Sequence, residues 1–112
     1  MQRADFEKLV EEGVARIPDK FLTKLENVAI VVEDEPNEAQ LEKIKLKKDS
    51  ALFGLYEGVP QSRRGPGYGM TTPDKITIFQ KPIEEYAASP EEARKIVYDT
   101  VWHEIAHHFG FD

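Results

Sequence analysis

Near its C-terminal end the chain reads His103-Glu104-Ile105-Ala106-His107. On an α-helix, residues four apart lie about 40° apart around the axis and one turn along it. His103 and His107 can therefore offer imidazole nitrogens to one metal ion. Glu104 falls beside that pair, where a carboxylate reaches a water on the metal without binding the metal itself. The donor types suit Zn2+, which takes neutral imidazole and carboxylate ligands and, in reactive sites, keeps one position open. A water so placed, with a carboxylate to take up its proton and hand it on, is a nucleophile for amide hydrolysis. The chain has no cysteine, which excludes disulfides, thiolate zinc sites and cysteine nucleophiles. Any metal must then be held by His, Asp or Glu. The third histidine, His108, lies about 100° from His107 around a helix and reads as a packing residue.

The helix that must carry these residues has clear boundaries. Ser89-Pro90-Glu91-Glu92 is a capping box with proline at the first helical position, and Gly110 follows the last periodic residue, Phe109. Val97, Tyr98, Val101, Trp102, Ile105 and Phe109 gather on one side. The centre of that side is about opposite His103 and His107 at 100° per residue. The histidines are thus expected to look into a cleft while the other side of the helix enters the core.

Upstream, Phe6, Leu9, Val10, Val14 and Ile17 form a helical stripe, with Asp5 as the expected cap and Pro18 as the stop. Asp19 to Leu25 predicts a short second helix. Val28 to Val32, VAIVV, reads as a strand covered on both sides. A weak helix is expected from Pro36–Asn37 to Leu46, a strand from Ala51 to Glu57, a strand with alternating faces from Lys75 to Gln80, and a short helix from Pro82 to Ala88. Gly58 to Gly69, rich in glycine and proline, reads as a long exposed loop.

Composition narrows the function classes. With 40% hydrophobic and 32% charged residues the chain is globular in character, and 112 residues suit one domain, 1–112. A net charge of −6 opposes binding to phosphate backbones, so nucleic acid is not an expected partner. No apolar run is long enough for a bilayer, and the first residues lack a secretory signal pattern, so no membrane partner is expected and a cytoplasmic location is. Oligomeric state is open at this stage.

Several segments together resemble one family. NVAIVVEDEP (Asn27 to Pro36), GLYEGVP (Gly54 to Pro60), PDKITIFQKPIEE (Pro73 to Glu85) and TVWHEIAHHFGFD (Thr100 to Asp112) are similar, in order, to the small bacterial zincin-like metallopeptidases. The resemblance implies an α+β, zincin-like fold: a small mixed sheet packed with helices and a C-terminal active-site helix. It implies His103 and His107 as zinc ligands, Glu104 as the catalytic carboxylate, and a third ligand shortly after the glycine. Here that position falls to Asp112, one residue earlier than the family's HExxHxxGxxD-like spacing. The activity implied is zinc-dependent hydrolysis of peptide bonds in a peptide or protein substrate. Tyr56, Arg63, Arg64 and Tyr68 are candidates for stabilising the oxyanion, and the strand from Ala51 or the one from Lys75 for pairing with an extended substrate. Glu57, Glu84 and Glu85 read as ordinary surface charge in preference to metal ligands. Two other readings stay open: a zinc-binding scaffold without peptidase activity, and a metal-free interaction domain that binds through residues 58–69.

Overall fold

The computed structural model describes residues 1–46, 53–58 and 74–109. Helix α1 spans Arg3–Val14 and buries Phe6, Leu9, Val10 and Gly13 along one stripe. It begins before Asp5, the expected cap: Gln2 has extended backbone and its carbonyl accepts from the Phe6 N–H at 3.0 Å. Asp5 lies instead in the first turn, where a carboxylate favours the helix dipole. After Pro18 come α2 (Asp19–Leu22) and a 3-10 turn (Thr23–Leu25).

Strand β1 (Val28–Glu33) is followed by α3 (Glu38–Leu46), β2 (Gly54–Glu57), β3 (Asp74–Phe79), α4 (Gln80–Tyr86) and α5 (Pro90–Phe109). Asn37 starts α3 with a reciprocal cap that the sequence reading missed. Its Oδ1 accepts from the Gln40 N–H at 2.8 Å, and Gln40 Oε1 accepts from the Asn37 N–H at 3.0 Å. The glycine- and proline-rich segment expected as a loop lies, from residue 59 to Gly69, outside the described residues, as do Ala51 and Leu52.

The sheet has the order β1-β3-β2, with β1 parallel and β2 antiparallel to β3. This order corrects two expectations. The apolar run of β1 suits cover on both sides, yet among the described residues it lies at the edge of the sheet and its six residues are all half-buried. Strand β3, expected to alternate between core and solvent, is central, and its residues Ile76 to Phe79 are all buried. Ile76, Ile78 and Tyr56 face one core, which α1 and α5 complete with Phe6, Val97, Val101 and Ile105. Phe79 and Leu55 face the other way and pack with Ile44 of α3. Thr77 shares that second side and is fully buried. Its hydroxyl has no hydrogen-bond partner among the described residues. The architecture is therefore α+β, with a mixed sheet of three strands among the described residues and helices on both faces. Among the described residues no helix is long and apolar enough to cross a membrane.

Two glycines set the distances between layers. A Cβ on Gly13 would lie 3.0 Å from the Arg94 carbonyl oxygen and 3.1 Å from Val97 Cγ1, so α1 approaches α5 backbone to backbone. A Cβ on Gly54 would lie 2.6 Å from Thr100 Cγ2 and 3.1 Å from the Thr77 carbonyl oxygen, which pins the start of β2 against α5. Ion pairs Arg16–Glu91 at 2.8 Å and Arg94–Glu12 at 3.0 Å border the α1–α5 contact.

Candidate metal centre

Helix α5 carries the candidate site residues, and both its start and its rotation are fixed by local contacts. At the start, Ser89 Oγ accepts from the Glu92 N–H at 3.1 Å, and Glu91 and Glu92 occupy the first turn. Along its length, Ala93, Val97, Val101 and Ile105 recur every four residues and are all buried. This buried stripe settles how the helix is rotated. His103 is exposed, on the side away from the stripe, while Glu104 is 4% exposed. A carboxylate that deep must be engaged by its surroundings, and Glu104 has partners within the fold. Half-buried Trp102 packs edge-on against Phe21, with ring centroids 4.6 Å apart, and ties this turn to α2.

The helical backbone runs unbroken from Pro90 to Phe109, so His107 follows His103 by one turn. The side chains of His107, His108 and Phe109, and all of Gly110 to Asp112, lie outside what the structure describes. Among the described residues no group of three His, Cys, Asp or Glu side chains converges as a complete metal site. What is described suits a zinc ion: an outward imidazole on a continuous helix, a second histidine one turn along, and a carboxylate beside them that faces inward.

Gly54 was not singled out from the sequence, yet it decides where β2 lies relative to this helix. The Thr100 methyl that it meets belongs to the residue one turn before Glu104. A glycine at the head of an apolar strand was the available signal, because it marks close backbone approach. Among the described residues β2 lies at the edge of the sheet and β3 at its centre, so β2 is the candidate strand for pairing beside α5.

The remaining candidates fall elsewhere. Tyr56 is 5% exposed in the core and donates its hydroxyl to Asp74 Oδ2 at 2.7 Å. Arg63, Arg64 and Tyr68 lie outside the described residues. Glu57 is not ordinary surface charge: its side chain is 18% exposed and takes hydrogen bonds from Lys43 Nζ and from Gln40 Nε2 at 3.4 Å, with Lys75 Nζ at 3.9 Å. Burial pushes its pKa up, but the hydrogen bonds from Lys43 and Gln40 and the charges of Lys43 and Lys75 outweigh it and leave the carboxyl below its ordinary value. Glu57 thus joins β2 to α3 and serves as a structural ion pair. Glu84 accepts from Gln80 Nε2 at 2.8 Å and pairs with the Met1 amino group, while Glu85 is exposed.

Comparison with known proteins bears on this geometry. Residues 25–112 match a family model described as zincin-like metallopeptidase. Among solved structures, a conserved hypothetical protein from Thermus thermophilus superposes with a TM-score of 0.56 over 97% of this chain and 94% of that one, at 20% identity. At that identity the likeness concerns the fold alone. No curated protein matches the sequence.

Proposed function

The chain belongs to the zincin-like metallopeptidase family, and on that premise we propose that it hydrolyses peptide bonds with Glu104 as the general base. In this reading His103 and His107 hold a zinc ion, and Asp112 supplies the third ligand. Bound zinc would lower the pKa of the attacking water towards about 7 and polarise the scissile carbonyl. Glu104 accepts the proton of that water and delivers it to the leaving amine. The observation that carries the proposal is the rotation of α5: the same buried stripe that docks the helix turns His103 outward and Glu104 inward. A base in an enclosed position holds its carboxylate in one place between the two proton transfers.

The substrate is a peptide or protein in extended form, for which β2, at the edge of the sheet among the described residues, is the pairing strand. Gly54 holds that edge close to the turn of α5 that precedes Glu104.

The test compares zinc-loaded wild type with zinc-loaded Glu104→Gln on a pool of denatured proteins. With zinc content equal by elemental analysis, loss of a general base is expected to lower the rate by roughly 10²–10⁴-fold. Equal rates would refute the assignment of Glu104, and absence of cleavage by either protein at full zinc occupancy would point to a zinc-binding scaffold instead.

A further inference from the structure

The edge of the sheet farthest from β2 has features of its own. Among the described residues strand β1 pairs with β3 on one side only, and its sequence, VAIVVE, contains neither the lysine nor the proline that usually blunts an exposed edge. In a parallel ladder the N–H and C=O of alternate residues point to the same neighbour. The Asn27 carbonyl accepts from the Asp74 N–H at 3.0 Å, so Asn27, Ala29 and Val31 address β3. Val28, Ile30 and Val32 consequently direct their backbone groups outward. The Val32 carbonyl accepts from the Arg3 guanidinium at 3.0 Å, which closes that end of the edge. Val28 and Ile30 remain facing outward.

A groove of about 620 Å³ runs between this edge and α1. Its floor is apolar, formed by Val10, Val14, Leu22, Ile30 and Val32, and the polar side chains that line it are Glu7 and Glu11. Both glutamates are exposed. We propose that the outer edge of β1, with α1, is a docking groove for an extended segment of a partner protein whose groove-facing residues, every second one along the strand, include both apolar and basic side chains. The backbone of that segment pairs with Val28 and Ile30, its apolar side chains enter the groove, and its basic side chains meet Glu7 and Glu11. Charge selects this occupant over a second copy. Two-fold pairing of β1 with itself would bring Glu7 and Glu11 of one copy towards those of the other, in chains that each carry a net charge of −6. This proposal does not rest on the metal centre, which adjoins the opposite edge of the sheet.

The test titrates the isotopically labelled full chain with the capped heptapeptide Lys-Thr-Val-Thr-Lys-Thr-Val, which puts Lys and Val on one face of the strand and Thr on the other, and whose integrity is followed by mass spectrometry. Amide shifts centred on Val28 to Ile30, with slowed hydrogen exchange at Ile30, are expected. Glu7→Lys/Glu11→Lys, which alters only exposed side chains and whose fold is checked by its own spectrum, should weaken binding at least tenfold. A peptide with glutamate in place of its basic residues should not bind. N-methylation at alternate residues, made in both phases, should abolish binding in one phase and spare it in the other. Shifts confined to β2 or α5, equal binding of the acidic peptide, or indifference to both methylation patterns would overturn the proposal. So would concentration-dependent dimerisation through Ile30 in sedimentation.

Discussion

Replacing Gly54 by alanine tests whether the spacing between β2 and α5 is as tight as the geometry states. The new Cβ would stand 2.6 Å from Thr100 Cγ2, 3.1 Å from the Thr77 carbonyl oxygen and 3.4 Å from Ile78 Cδ1. Carbon atoms in contact settle about 3.5–4.0 Å apart, so strand and helix must separate or rotate by about 1 Å. Overpacking of this kind costs about 1–3 kcal/mol. With a urea slope of about 1–3 kcal/mol per molar, the unfolding midpoint should fall by about 1 M. Thr100→Ala removes the nearest atom but leaves the Thr77 carbonyl in place. The double variant should therefore recover part of the loss, with a coupling of about 1 kcal/mol in a double-mutant cycle. Because Thr100 and Glu104 are one turn apart on the same side of α5, Gly54→Ala should also slow peptide hydrolysis at unchanged zinc content. A stability loss below about 0.5 kcal/mol, or the same loss with and without the Thr100 methyl, would show that the layers are not in the contact described.

Glu57 has a folded-state pKa below its ordinary value, so the stability it contributes is present above the unfolded pKa and disappears as pH falls through the folded one. Urea midpoints measured from neutral pH down to pH 3 should fall less steeply for Glu57→Gln than for wild type, and parallel curves would contradict the assignment. Thr77→Val replaces a buried hydroxyl that has no partner among the described residues; thermal unfolding should show it neutral or stabilising by up to about 1 kcal/mol. Asp112→Ala should weaken zinc binding in a competitive chelator titration, and an unchanged affinity would remove Asp112 from the ligand set.

The sequence made α5 legible because its signals are local. Ser89 sets the start, the stripe of Ala93, Val97, Val101 and Ile105 sets the rotation, and both belong to one continuous segment. From these the outward face of His103 follows directly. Strand β1 was legible as a strand but not as an edge, because an unbroken apolar run suits either place. Which one it takes depends on β3, more than 40 residues away along the chain. The same holds for Gly54, whose reason lies in Thr100, and for Glu57, whose partners Gln40 and Lys43 come from α3. The Asn37–Gln40 cap had a local signature, N-x-x-Q ahead of a periodic stretch, and was within reach of the sequence.

The α1–α5 packing bears on where this protein begins as a physical object. The stretch recognisable as family sequence starts at residue 25, after α1 has ended. Yet Phe6, Leu9 and Val10 fill the same interior as Val97, Val101 and Ile105. Trimming to the recognisable stretch would strip one wall from that interior and wet the back of the very helix that displays His103. Homology and cooperativity thus draw different boundaries around this polypeptide, and a segment outside the family match is among those that keep the helix of His103 and Glu104 in place.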